Sequence, residues 1–267
     1  MLTVVKKELK YLFANLKCSL KASKTYKLNF ILDTIFMFVN NSAFLIFWIV
    51  IINTSGGDAN GIVISDIMHL WGIPVISYGV AYFLFEGACN INTLFVNGTM
   101  DTYLLQPKHP LISIITSKCR FSAFGDIVYG LVMVILASNF DIFSIIASII
   151  LGILGSFIYI SIEVIIRSLS VFLGDTENLA ERYIYTLFLN FSTYPEKIYP
   201  QALKIILYLI IPSAYISFVP IRIVTDFNII SLVAFLFVVI ILPIIAFAVF
   251  NKAVKHYESG NNMLLRE

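Results

Sequence analysis

Residues 228–250 read NIISLVAFLFVVIILPIIAFAVF, without one Asp, Glu, Lys or Arg. A helix of ~20 apolar residues spans the hydrocarbon core of a bilayer, and this stretch has that length. Water cannot solvate such a segment cheaply, whereas lipid can. Pro243 is tolerable inside it where neighbouring helices cover the carbonyl that its missing N–H leaves free. The stretch predicts a membrane-spanning helix and sets the solvent for the whole chain.

Composition extends that reading. Hydrophobic residues make up 59% of the 267 residues and charged residues 13%, about half the roughly 25% of a soluble domain. Mean hydropathy is +0.91. These values exclude a soluble globular enzyme, a disordered chain and a nucleic-acid binder. The chain reads as an all-α integral membrane protein. Its length allows at most about six or seven spans with short connections. Cys18, Cys89 and Cys119 are too few and too scattered for a disulfide framework.

Working back from the last span, other apolar stretches appear at about 28–52, 67–96, 121–138 and 142–173. The length of 67–96 predicts tilt or an extension beyond the bilayer. Residues 53–61 form a turn-rich loop, and Asn139–Asp141 and Gly174–Asn178 are polar breaks. Residues 179–194 and 201–219 are two shorter apolar segments, bounded or interrupted by Pro195, Pro200, Pro212 and Pro220. Residues 251–267 form a polar tail. Residues 1–27 carry seven lysines and a 3–4 apolar spacing, which predicts an amphipathic helix on the membrane surface. No cleaved leader is expected there, since the following apolar segment is long and ends on no small-residue cleavage site.

Lys and Arg set the orientation. With both termini inside, the cytoplasmic side holds the seven lysines of 1–27, Lys108, Lys118, Arg120, Arg167, Arg182, Lys252, Lys255 and Arg266. The outer side holds only Lys197, Lys204 and Arg222. Residues 174–228 must then cross an odd number of times, although they contain two apolar segments. The prolines favour 201–219 as re-entrant on the outer side, with 179–194 as the fifth span. The opposite assignment stays open.

Between the second and third spans lies Asn97-Gly98-Thr99-Met100-Asp101-Thr102-Tyr103-Leu104-Leu105-Gln106-Pro107-Lys108-His109-Pro110-Leu111. Asn97-Gly98 signals a turn. Thr99 can cap a short helix running through Leu105, Pro107 stops it, and Pro110 ends the unit.

No chemistry of catalysis is visible. No Gly precedes a Lys, so the phosphate-cradling loop of an ATPase cannot be built. HExxH and GxSxG are absent, and His69, His109 and His256 are isolated, which argues against a metal site. The intramembrane ionisable groups are Asp33, Glu86, Asp126, Glu163 and Arg167, which should avoid lipid. Glu163 and Arg167, four apart, share a helix face and can pair. Glu86 reads first as a polar contact between helices, with a proton site or an interfacial position as alternatives.

The pattern Gly98-x-x-Asp101-x-Tyr103-Leu104-Leu105-x-Pro107, followed by His109-Pro110-Leu111, resembles a segment of ABC-2 type transporter permeases, in particular bacterial six-span ones. The basic start resembles their cytoplasmic elbow helix. Tyr194-Pro195 through Tyr199-Pro200, Pro212 and Pro220 resembles their external hairpin, placed at 195–220. Tyr257-Glu258-Ser259-Gly260 resembles their C-terminal ending. The resemblance implies one permease domain over 1–267, with six transmembrane helices, in a bacterial cytoplasmic membrane with both termini inside. It implies a coupling helix within 97–111, where Thr99, Asp101, Tyr103, Leu104, Leu105, Gln106, Pro107, Lys108 and His109 would meet a separate ATPase subunit. A second permease copy, identical or paralogous, would complete the transporter. No cofactor is expected in this chain; ATP and Mg would bind the ATPase. The 43 Ile and the excess of Lys over Arg, 13 to 5, point the same way, to a bacterium with an AT-rich genome. A non-transporting membrane anchor and an ion-driven secondary transporter are the competing classes, the latter predicting internal repeats that the halves do not display.

Overall fold

A computed structural model describes residues 10–18, 20–21, 27–54, 63–173 and 186–257. Among the described residues every regular element is a helix and there is no β-strand. Residues 10–18 form α1. The helices that follow are α2 (Lys27–Thr54), α3 (Ile64–Phe85), α4 (Ile91–Val96), α5 (Asp101–Leu104), α6 (Pro110–Ile115), α7 (Phe124–Ala137) and α8 (Ile142–Leu173). The last third holds α9 (Thr186–Thr193), α10 (Gln201–Leu209), α11 (Phe218–Thr225) and α12 (Ile229–His256). Parts of the predicted surface helix, the 53–61 loop, the 174–178 break and the Glu258–Gly260 ending lie outside the described residues.

Among the described residues four helical runs are long and apolar enough to cross a membrane: α2, Ile64–Val96, Ile142–Leu169 within α8, and α12. A bent pair, Gln201–Leu209 with Pro212–Thr225, makes a fifth if counted as one span. Rows of large apolar side chains on α2 and α12, such as Ile31, Ile35, Val233 and Phe237, are exposed. Water would penalise that surface and hydrocarbon would not. The protein is a multi-pass membrane bundle.

α3 is its axis. α7 runs along one side of it and α8 along another; α12 packs on α8, and α2 on α7 and α3. Small residues permit the approach. A Cβ on Gly130 of α7 would lie 2.8 Å from the Gly72 carbonyl oxygen of α3. Asn139 and Phe140 turn the chain between α7 and α8 with φ of 46° and 64°. The Asp141 carboxylate then accepts from the Ser144 N–H at 2.9 Å and caps α8.

Several boundaries differ from the sequence reading. The second apolar stretch is not one helix: it breaks at a 3₁₀ turn, Glu86–Asn90, before α4. The third contains an α-helix of only 14 residues, about 21 Å at 1.5 Å per residue. In the fifth, the described helix covers Thr186–Thr193 only. The last helix runs past Phe250 to His256. Beyond Pro212, α11 begins at Phe218 and runs through Pro220 to Thr225. Pro220 is the third residue of α11, where a backbone N–H has no partner to lose.

The two ends of the segment that holds α10 and α11 meet. Glu196, before α10, accepts from Arg222 Nη2 at 2.7 and 2.6 Å, although the two lie 26 positions apart. Tyr208 donates to the same carboxylate at 3.3 Å. The hairpin's apolar side chains, Leu207, Ala214 and Phe218, join Trp48 and Ile52 of α2 and Ile67 and Leu70 of α3 in one cluster. It therefore covers the end of the bundle formed by the C-terminus of α2 and the N-terminus of α3.

Candidate functional site

The opposite end carries residues 97–111. Gly98, at φ 65°, makes the turn that leaves α4. α5 spans Asp101–Leu104, one to two residues shorter at each end than expected. Thr99 is not its cap. Met100 occupies that position in a helical conformation and no side chain caps the helix. The Thr99 carbonyl instead accepts from the Thr102 N–H at 3.3 Å and from the Thr102 hydroxyl at 2.9 Å. Met100 is fully buried, so the segment is fastened by an apolar plug where the sequence suggested a hydroxyl. Pro110 does not end the unit. It opens α6 as its first residue, and His109 caps that helix by accepting from the Leu111 N–H at 3.3 Å.

The polar side chains of this segment turn back onto the protein. Lys108 Nζ lies 3.9 Å from the centre of the Tyr11 ring on α1. Asn15 of α1 donates to the Thr116 carbonyl at 2.6 Å, beyond the end of α6. His109 stacks on Phe247 of α12 with ring centroids 4.1 Å apart. Gln106 donates to the Thr102 carbonyl at 3.1 Å. Phe95 of α4 packs against Phe250 and Tyr257, at 6.0 and 5.9 Å between ring centroids. Burial raises the Tyr257 phenol above its ordinary range, and the nearby Asp101 carboxylate raises it further. Burial also holds the His109 imidazole below its ordinary value, partly offset by Asn251. A neutral imidazole is what its bond from the Leu111 N–H requires. Tyr103 is half-buried against the core.

Two leucines face outward. Leu105 is 87% exposed and Leu104 38%. Thr102 and Pro107 are exposed beside them. One short helix thus presents a leucine tip, while its back is keyed to α1, α4, α6 and α12.

Two further groups of predicted residues fall at this end or in the middle of the bundle. Glu86, in the 3₁₀ turn after α3, accepts from Arg120 Nε at 3.0 Å and Nη2 at 2.9 Å. The guanidinium also lies 5.1 Å from the centre of the Tyr82 ring. Glu163 pairs with Arg167 one turn on, and Tyr82 donates to its other oxygen at 3.1 Å, joining α3 to α8. A third contact, from Asn41 of α2 to Asp126 of α7 at 2.8 Å, joins residues 85 positions apart and has no local signal in the chain. Among the described residues no group of three or more His, Cys, Asp or Glu could hold a metal ion.

A family model described as ABC-2 family transporter protein matches residues 38–260. The chain belongs to this family. The match takes in the 97–111 segment, the hairpin and the end of α12. No curated protein and no solved structure matches the chain. The protein is a membrane permease of the ABC-2 transporter family, and its role is non-catalytic. Membership implies association with an ATPase and oligomerisation. Of the ABC-2 permease's expected coupling residues, only Leu104, Leu105, Thr99 and Pro107 are exposed. Lys108, His109, Gln106 and Asp101 are engaged within the chain.

Proposed function

We propose that this permease is the transmembrane subunit of an exporter in a bacterial cytoplasmic membrane, moving substrate outward with ATP hydrolysed by a separate subunit. Two copies, or this chain and a paralogue, form the path, each docked on one ATPase that binds ATP and Mg. Residues 1–267 act as one permease domain. Residues 1–27 are the elbow, 97–111 the coupling loop, 195–220 the external hairpin and 251–267 a cytoplasmic tail.

The carrying observation is the exposed Leu104–Leu105 tip on a stiff, back-fastened helix. Covering these two leucines on docking would remove their apolar surface from water, which favours association. Displacement of α5 by closing ATPases would reach α12 through His109–Phe247 and α1 through Lys108–Tyr11, and so tilt the bundle.

Six spans fit the same reading: α2, the α3–α4 run, α7, α8, 179–194 and α12. The Glu196–Arg222 contact supports it. A segment that returns to its starting level crosses an even number of times, which leaves 179–194 as the single crossing between α8 and α12. Orientation follows from charge. The basic residues of α1, 108–120 and 252–255 belong to segments that meet at one end of the bundle, and the positive end stays inside.

The test is co-purification with a candidate ATPase and ATP turnover in liposomes. Leu104→Asp with Leu105→Asp should abolish complex formation and leave the melting temperature of the permease unchanged, because both side chains point outward. Full stimulation of ATP turnover by the double variant would overturn the coupling role.

A further inference from the structure

A cavity of about 770 Å³ opens between α2, α3, α7, α8 and α9, within the size range of drug-sized ligand sites. Aromatic rings form much of its wall: Phe36, Trp71, Tyr78 and Tyr159. Tyr78 and Tyr159 meet edge to face at 5.9 Å between centroids, which holds both rings in place. Its charged groups are Asp33, Glu86, Asp126 and Arg120. Three carboxylates thus stand against one guanidinium, and that guanidinium is taken up by two bonds to a single oxygen of Glu86.

Asp126 is the decisive group. It is only 5% exposed. Its Oδ1 accepts from Asn41 at 2.8 Å, and its Oδ2, equally buried, has no hydrogen-bond partner in the protein. A buried carboxylate oxygen left bare is costly. Asp126 is one of the residues that line the cavity, so a ligand that reaches this carboxylate can supply what the fold does not. An anion would meet an excess of carboxylates. A bare metal ion would leave the space unfilled and find no cluster of ligands among the described residues. An organic cation satisfies both features, because aromatic faces attract cations as carboxylates do.

We propose that this cavity binds organic cations with an apolar body, the charge set against Asp126 and the body against Trp71, Tyr78 and Tyr159. This rests on the permease reading, for which it names a substrate class. A lipid headgroup amine shares that chemistry, so the experiment must separate the two sources.

The probe is tetraphenylphosphonium, with tetraphenylborate as its anion of equal shape. Binding to the purified full chain in maltoside micelles is measured by equilibrium dialysis, without any ATPase. The phosphonium should saturate at one site and the borate should bind at least tenfold more weakly. Asp126→Asn keeps an oxygen for Asn41 and should weaken the phosphonium about tenfold or more, from loss of a charged partner. Asp33→Asn, at an exposed lining position, should weaken it several-fold without threatening the fold. Added phosphatidylethanolamine should leave the affinity unchanged. Equal binding of the borate, or wild-type affinity in Asp126→Asn, would overturn the site. A tenfold loss on adding phosphatidylethanolamine would reassign it to a lipid headgroup. Because no ATPase is present, failure of the coupling reading leaves this readout untouched. Absence of phosphonium binding in a chain that still stimulates its ATPase would overturn the cation site alone.

Discussion

Gly87 lies in the 3₁₀ turn that joins α3 to α4, hard against α6. A Cβ added there would collide with the Ile114 carbonyl oxygen and lie 2.7 Å from Ser117 Oγ and 3.0 Å from the Ile114 carbonyl carbon. The obstruction is backbone. It cannot rotate away, because the Ile114 carbonyl is itself held by the Ser117 N–H at 3.0 Å. Overpacking costs about 1–3 kcal/mol, and a backbone obstacle places Gly87→Ala at the upper end. Gly130→Ala is intermediate. Its Cβ would sit 2.7 Å from Ile76 Cγ1 and 2.8 Å from the Gly72 oxygen, but helix propensity returns about 1 kcal/mol. Gly125→Ala is the control. Its Cβ would meet only side chains, Thr34 Cγ2 at 3.1 Å and the Phe38 ring from 3.6 Å. It should be neutral or stabilising by up to about 1 kcal/mol.

At about 2–4 °C per kcal/mol for a chain of this size, Gly87→Ala should melt roughly 4–10 °C below wild type. A thiol-reactive dye reads the transition in detergent, since Cys119 is buried and Cys89 half-buried until the bundle opens. Coupled ATP turnover should fall as well, because α6 carries the far end of the 97–111 segment. The expected order of stability is Gly125→Ala, then Gly130→Ala, then Gly87→Ala. Melting of Gly87→Ala within 1 °C of Gly125→Ala would refute the claim that α6 is seated on this turn.

Two other predictions concern charge. Arg167→Met leaves the Glu163 carboxylate, only 2% exposed, with the Tyr82 hydroxyl alone of the two contacts described above; removing one partner of a buried pair costs about 3–5 kcal/mol. Adding Glu163→Leu should recover most of that loss, and additive losses in the melting cycle would refute a coupled pair. His109 should titrate below its ordinary 6.5, since burial lowers it. A base whose folded value is depressed contributes its stability in full above about pH 6.5 and loses it as pH falls through the lower folded value. Histidine NMR shifts across pH 4–8 measure this, and a midpoint at or above 6.5 would show the ring to be solvated.

Which contacts the sequence could reveal depended on their separation along the chain. Glu163 and Arg167 are one helical turn apart, so the periodicity alone pairs them. Glu86 with Arg120, Asn41 with Asp126 and Lys108 with Tyr11 lie 34 to 97 positions apart, and only the folded bundle brings them together. The same cause divides the 97–111 segment. Read alone, its polar side chains and its leucines alike should face a partner. The folded chain separates them, because α1 and the end of α12 supply aromatic rings to Lys108 and His109, Met100 takes the buried position, and Leu104 and Leu105 stay exposed. Hydropathy misleads in a related way about centrality. α12 is the most apolar of the long helices, yet only 22% of its apolar window is buried; the Ile64–Val96 run is the least apolar and the most buried. In lipid, apolar surface gains nothing from leaving its solvent, so the driving force that ranks helices by burial in water is missing. Close packing and polar contacts decide instead, and α3 supplies both, with Gly72 and Gly79 against α7 and Tyr82 for Glu163. The aromatic cavity and the 97–111 segment both adjoin this helical run, so a push on α5 and a ligand beside Trp71 act on one element.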